Sequence, residues 1–133
     1  MNPQMFFYQY KTYINKAIAK HFKVDKIKMP KFKTFITKQA IDNQFLVIAY
    51  YDPINNIIGI NNDMWDIATE YEKFNAVTHE LVHAYQRKYQ LCNIDPTDVE
   101  YTMRSQELHC EEHTSQILIE MGIEASYSIL SLF

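Results

Sequence analysis

The sequence predicts a single α+β domain, and three observations support this class. The 133 residues include 47% hydrophobic and 22% charged side chains, which is typical of a folded globular domain and excludes a disordered chain. Apolar residues recur at helical spacing near the N-terminus and again after residue 61, whereas the segment between them carries short runs of β-forming residues. Only 2 Gly and 4 Pro are present, which excludes a long flexible linker, so we expect one domain over residues 1–133.

The N-terminal half is predicted to hold one helix and a small β-sheet. Between residues 3 and 21, apolar side chains recur every three or four positions with lysines between them, which indicates an amphipathic helix with a basic outer face. Residues 31–37 alternate as a short strand does. Residues 45–51 form a continuous apolar run, and a turn sequence joins them to residues 57–60, so these two segments are expected to pair as a hairpin.

The C-terminal half is predicted to contain two capped helices. Thr69 followed by Glu72 has the capping-box pattern and should begin a helix that ends near Leu91. A second box, at residues 97–100, should begin a long helix that Gly122 ends as its C-cap. The pattern of residues 123–133 fits either a strand or a helix.

The first of these helices carries the motif His79-Glu80-Leu81-Val82-His83. Two histidines four residues apart lie about 40° apart around the helix axis and roughly 6 Å apart along it, so both imidazoles can reach one Zn²⁺ ion. Glu80 projects beside them, where it can take a proton from a metal-activated water. The motif therefore predicts a zinc metalloendopeptidase that binds one Zn²⁺ per chain through His79 and His83, with Glu80 as general base.

A catalytic zinc site of this kind needs a third protein ligand. One class of HExxH enzymes continues with Gly and His at positions that Gln86 and Tyr89 occupy here, which excludes that class. The other class takes a glutamate from a following helix. The long C-terminal helix offers three carboxylates and two competing imidazoles: Glu107, Glu111, Glu112, His109 and His113.

Helical spacing ranks these candidates. Glu112 has Leu108 at i−4 and Ile119 at i+7, so it interrupts what reads as an inward apolar stripe. A carboxylate on an inward face is costly unless a cation compensates it, as a metal ion would. Glu111 and His113 lie on more polar faces and remain alternatives. We therefore predict Glu112 as the third metal ligand.

The string Thr78-His79-Glu80-Leu81-Val82-His83-Ala84-Tyr85 resembles the active-site helix of small gluzincin metallopeptidases. These include SprT-like proteases and the mitochondrial metalloproteases involved in ATP synthase assembly. In the latter family a Cys-x-Glu segment on a downstream helix supplies a zinc ligand, and Cys110-Glu111-Glu112 has that spacing. The resemblance covers about residues 45–120 and implies a minimal zincin fold, in which the helix after the HExxH helix carries the third ligand.

The same resemblance implies how substrate binds. The strand upstream of the active-site helix, here residues 57–60, is expected to pair with an extended protein or peptide substrate. The scissile carbonyl needs a hydrogen-bond donor besides the metal. His109, at i−3 from Glu112, is the catalytic residue predicted for this task, and Tyr101 is the alternative.

Charge is divided unequally along the chain. Residues 1–38 hold nine lysines and one acid, a net +8, whereas residues 39–133 hold four basic residues and fifteen acids, a net −11. The lysine-rich residues 11–38 are either a solvated face or a docking surface for nucleic acid or an acidic partner. The alternative to a peptidase is therefore a catalytically inactive zincin-like metal-binding scaffold that docks a partner through this basic region.

The sequence also favours a cytoplasmic location. Cys92 and Cys110 are too few for a disulfide framework, which indicates free thiols in a reducing compartment. No apolar run is long enough to span a membrane, and the N-terminus lacks the pattern of a secretory signal, so no membrane partner is expected.

Overall fold

The computed structural model describes residues 1–36, 47–92 and 97–124. It confirms the α+β class, with an N-terminal helix, a three-stranded mixed sheet and two long helices packed together. None of the described helices is long and apolar enough to cross a membrane. The elements in chain order are α1 (Pro3–Phe22), β1 (Lys31–Phe35), β2 (Ala49–Asp52), β3 (Ile57–Asn61), α2 (Asn62–Ile67), α3 (Glu70–Tyr89) and α4 (Val99–Glu120).

The sheet has the order β1-β3-β2. The predicted hairpin is confirmed, because β2 pairs antiparallel with β3 and sets Tyr50 opposite Gly59. A Cβ atom at residue 59 would lie 2.3 Å from the Tyr50 ring, so glycine permits this close cross-strand approach. The β1 strand pairs parallel with the other side of β3, which the sequence did not indicate. The predicted strand residues 37 and 45–46 lie outside the described ranges.

The position of β3 corrects the expected substrate-binding strand. Residues 57–60 cannot pair with a peptide, because β1 occupies one side of β3 and β2 occupies the other. In the described part of the chain, β2 is the edge strand that packs against α3. An extended peptide that approaches α3 would therefore meet β2.

The predicted helix ends are mostly confirmed. The Thr69–Glu72 capping box is present, and α3 ends at Tyr89, two residues before the predicted end. The N-cap of α4 is Asp98, whose side chain accepts a hydrogen bond from the Tyr101 backbone N–H, so the predicted cap at residue 97 is wrong by one position. Gly122 follows α4 with a φ of 77°, as a C-terminal glycine should. Residues 125–133 lie outside the described ranges.

A buried polar network holds α3 against α1. The Tyr85 hydroxyl donates to the Asn15 backbone oxygen at 2.9 Å and also to the Asn15 side-chain oxygen. The Asn15 amide donates to the Ile27 carbonyl oxygen at 2.9 Å. Tyr85 and Ile27 are buried in the same core cluster as Trp65. Because Tyr85 lies on the same helix as the HExxH motif, this network fixes the helix that carries the site.

Candidate metal centre

The two motif histidines meet a carboxylate from α4. His79 Nε2 lies 2.6 Å from Glu107 Oε1, and His83 Nε2 lies 3.1 Å from Glu107 Oε2. The imidazole rings are 4.8 Å apart, as expected for residues one turn apart on a helix. Their side chains are half-buried, whereas Glu80 between them is buried. Each oxygen of one carboxylate therefore faces the Nε2 atom of one histidine.

Cys110 completes the group from one turn farther along α4. The ligand atoms of His79, His83 and Cys110 all lie within 4.8 Å of one another. The Cys110 side chain is fully buried, and its thiol donates a hydrogen bond to the His79 carbonyl oxygen at 3.1 Å. These three residues form a group that can hold a metal ion.

The donor set fits a zinc ion. Imidazole nitrogen, carboxylate oxygen and thiolate sulfur are the three kinds of protein ligand that Zn²⁺ takes. Both Nε2 atoms converge on the one carboxylate of Glu107, and the Cys110 sulfur lies beside them. Because the histidines come from α3 and the other two residues from α4, a bound ion would join these two helices.

Burial and mutual contact perturb the acid–base groups of the site. Burial raises the pKa of Glu80 to about 7, although the two neighbouring histidines act to lower it. Burial acts to lower the pKa of both histidines, but hydrogen bonds with Cys110 and Glu107 outweigh it and raise that of His79 to about 10 and that of His83 to about 11. Hydrogen bonds with His79 and His83 in turn lower the pKa of Glu107.

Gln86 orients the second histidine. Its amide nitrogen lies 2.9 Å from the Gln106 carbonyl oxygen and 2.8 Å from His109 Nδ1. Because a carbonyl oxygen only accepts hydrogen bonds, the amide must present its N–H groups on this side, and its oxygen then faces His83 Nδ1 at 2.8 Å. His83 Nδ1 is therefore the protonated nitrogen, which leaves Nε2 as the nitrogen that can bind a metal.

The predicted inward stripe of α4 is wrong. Leu108 is 60% exposed and Ile119 is 75% exposed, whereas the buried face of α4 runs through Cys110, Thr114 and Ile117. Glu112 belongs to the exposed face. Its negative charge acts to raise the pKa of His109 and of His113. The ion pairs of His79 and His83 found among the described residues are with Glu107 and not with Glu112.

The hydrogen bonds and ion pairs found among the described residues join none of the other candidates directly to His79 or His83. Glu111 and Tyr101 are exposed on α4. His109 stacks on Phe22 with ring centroids 6.0 Å apart, and its Nδ1 accepts the Gln86 amide. His113 lies 2.8 Å from His21, measured from Nδ1 to Nε2. The expected hydrogen-bond donor His109 therefore belongs to a cluster that ties the end of α1 to α4.

A cavity of about 470 Å³ opens beside the centre. Its walls include His83 and Glu107 from the site, Arg87 from the next turn of α3, and Tyr51 and Pro53 from the end of β2 and the turn after it. The site is thus accessible from the side on which the edge strand β2 ends.

Comparison with protein families, curated proteins and solved structures finds no match to this chain.

Proposed function

We propose that this chain is a zinc-dependent metallopeptidase of the gluzincin type, in which His79, His83 and Glu107 hold the metal and Glu80 is the general base. The observation that carries the proposal is the meeting of both Nε2 atoms with one carboxylate from the next helix, beside a buried glutamate. This arrangement favours Glu107 over Glu112 as the third ligand. Three protein ligands leave one coordination position open for substrate or water, as catalysis requires.

The metal would supply a Lewis acid that makes water a stronger acid and polarises the scissile carbonyl. Glu80 would accept the proton of the attacking water and pass it to the leaving amine. Its buried carboxyl, with a pKa of about 7, suits a group that must both take and return a proton near neutral pH. Gln86 would keep His83 in the tautomer that binds metal.

Substrate recognition by an edge strand remains part of the proposal, with β2 in place of the strand at residues 57–60. Tyr51, near the end of β2, lines the same cavity as His83 and Glu107. A peptide that extends β2 would therefore run past the metal centre.

The test combines metal analysis with hydrolysis of an unfolded protein. Wild type should bind one zinc per chain and lose hydrolysis with a chelator. Glu80→Gln should keep the zinc while hydrolysis falls by about 10²–10⁴-fold, the usual contribution of a general base. Glu111→Gln removes the same charge from an exposed position of α4 and is the matched control. Unchanged hydrolysis in Glu80→Gln would refute the role of Glu80, and chelator-resistant hydrolysis would refute the metal.

A catalytically inactive metal-binding scaffold is the second candidate, and Cys110 is the observation that favours it. The buried thiol forms, with the two histidines, the group whose ligand atoms lie within 4.8 Å of one another. If the thiolate and Glu107 both bind the ion, four ligands close the site, as in structural zinc centres. Cobalt substitution separates the candidates, because a thiolate ligand adds a sulfur-to-metal absorption band. The band, its loss in Cys110→Ala and weaker metal binding in that variant, together with no hydrolysis by the wild type, would support the scaffold. Their absence would support the open site.

This second candidate includes docking of nucleic acid or an acidic partner by the lysine-rich residues 11–38. Lys16, Lys20 and Lys23 border a cavity of about 680 Å³ between α1 and the end of α4, where Glu120 is the one acid among the described lining residues, and this excess of lysines supports such a surface. Salt-sensitive DNA binding that is lost when these three lysines are changed to glutamine would support it. Binding that does not depend on these lysines would contradict it.

A further inference from the structure

We propose that the groove beside the metal centre selects peptides with an acidic side chain about two residues from the bond to be cleaved, and that Arg87 is the residue that recognises the acid. The inference rests on the proposed peptidase function and adds a substrate class to it. It follows from where Arg87 lies, from the charges around it and from the absence of a described acidic partner.

Arg87 stands where two cavities meet. The cavity of about 470 Å³ reaches from Glu107 and His83 to Arg87, and a second cavity of about 350 Å³ continues from Arg87 to Lys28 and Lys88. Tyr51 and Pro53 border both cavities, so these two residues form a wall that the cavities share. The two cavities therefore make one groove that leads away from the metal centre along the end of β2.

The far part of this groove is positively charged. Arg87, Lys88 and Lys28 border it, and none of the described residues that line the second cavity is acidic. Arg87 is exposed, and none of the ion pairs found among the described residues involves its guanidinium group. Its charge acts on the Tyr51 hydroxyl, whose pKa burial raises and Arg87 lowers. A carboxylate that enters the groove would meet an available guanidinium group, which can bind it through two hydrogen bonds.

Helix geometry gives the spacing. Arg87 follows His83 by four residues, which places it about 6 Å farther along the axis of α3. An extended peptide advances about 3.3 Å per residue, so 6 Å corresponds to about two residues. The acid recognised by Arg87 should therefore be the second residue from the scissile bond on the side that occupies this groove.

The binding test does not depend on turnover. It uses Glu80→Gln protein and a fluorescently labelled extended peptide with Glu at the second residue on both sides of its centre, compared with the same peptide carrying Gln there. We expect the Glu peptide to bind about 2–5-fold more tightly at low salt, as a partly exposed Arg–carboxylate contact allows. Arg87→Gln should remove this difference, and Arg87→Glu should reverse it.

Arg104→Gln is the matched control, because Arg104 is an exposed arginine of α4 that borders neither cavity. It should leave the preference unchanged. Equal affinity for the two peptides, no detectable binding of either, or a preference that survives Arg87→Gln would overturn the inference. Arg87-dependent binding of single-stranded DNA tighter than that of the Glu peptide would also overturn it, because the groove would then serve nucleic acid. Metal-free wild type provides a second measurement of the same affinities.

Hydrolysis of the same two peptides by the wild type separates this inference from the proposed function. Cleavage of both peptides at equal rates, with equal affinities, would leave the peptidase function standing and refute the role of Arg87. An Arg87-dependent binding preference with no cleavage of any peptide would support the acid-binding groove and refute the peptidase function. Faster cleavage of the Glu peptide, lost in Arg87→Gln, would support both.

Discussion

Replacing Glu107 with glutamine tests the ligand assignment most directly. The change removes the negative charge and keeps the shape of the side chain. In metal-free protein the effect on stability should be small, because the Glu107 side chain is 50% exposed and exposed ion pairs contribute about 0–1 kcal/mol. The melting temperature should therefore fall by no more than about 4 °C.

Zinc affinity should respond far more strongly. Changes to groups that merely support a metal ligand cost about 10–100-fold in affinity, so the loss of a charged ligand should cost at least 100-fold. A 100-fold loss corresponds to about 2.8 kcal/mol. A metal ligand should lose much more zinc-binding free energy than metal-free stability on this substitution. A surface carboxylate that only pairs with two histidines should show a small effect on both.

The assay is competition for zinc against a coloured chelator, with thermal melts of the metal-free proteins beside it. Glu112→Gln is the matched control, since it makes the same chemical change on the exposed face of α4. Its zinc affinity should remain within about twofold of wild type, as expected for a surface substitution. Retention of wild-type affinity in Glu107→Gln would refute Glu107 as the ligand, and loss of zinc in Glu112→Gln would restore Glu112.

Three further predictions concern protons and packing. Binding of zinc to metal-free protein at pH 7 should release about two protons, because the pKa of His79 is about 10 and that of His83 about 11. Calorimetric titration in buffers of different ionisation enthalpy measures this number. Release near zero would show that both imidazoles are already neutral. The raised pKa values of these histidines stabilise the metal-free fold fully below about pH 6.5, and this contribution is lost as the pH rises toward 10. The raised pKa of Glu80 costs further stability between about pH 4.5 and 7, so the melting temperature should fall from about pH 5 upward. A rise between about pH 5 and 6.5 would contradict the Glu80 shift, and a rise between about pH 7 and 9 would contradict the histidine shifts. Asn15→Ala should lower the free energy of unfolding by about 2–4 kcal/mol, because it leaves a buried tyrosine hydroxyl without one acceptor and the Ile27 carbonyl without its donor. Lys16→Ala, on the exposed side of the same helix, should change it by less than about 0.5 kcal/mol, and an equal effect of the two substitutions would argue against the buried network.

The parts of the fold that the sequence predicts well are those with local signals. The Thr69 capping box sets the start of α3, and Gly122 ends α4, because both signals act through hydrogen bonds within a few residues. The hairpin of β2 and β3 is equally local. The parallel pairing of β1 with β3 depends on residues more than 20 positions apart, and no short pattern encodes it. For this reason the sequence favours β3 as the strand that binds substrate, although the structure makes it the central strand.

The rotation of α4 is the part of the site that the sequence leaves ambiguous. Apolar residues occur on several faces of this helix, so the sequence pattern does not distinguish a stripe through Leu108 and Ile119 from the face that is buried in the structure. The true inward face carries Cys110 and Thr114, which are small and partly polar and give a weak hydrophobic signal. One clue was available: Glu107 stands three residues before Cys110, so the carboxylate lies on the same helix face as a small residue.

The three-residue spacing of Glu107 and Cys110 also bears on whether the metal site is open, with three protein ligands, or closed, with four. The rotation of α4 that brings Glu107 to the histidines brings Cys110 as well, but the two side chains differ in exposure. The carboxylate of Glu107 is half exposed and borders the cavity, whereas the thiol of Cys110 is fully buried. Both Nε2 atoms lie within 3.1 Å of the carboxylate, and the bond from His83 Nδ1 to Gln86 holds one of them in that direction. The orientation of the imidazoles therefore favours Glu107 as the ligand, and it leaves the cavity side of the site open to a peptide.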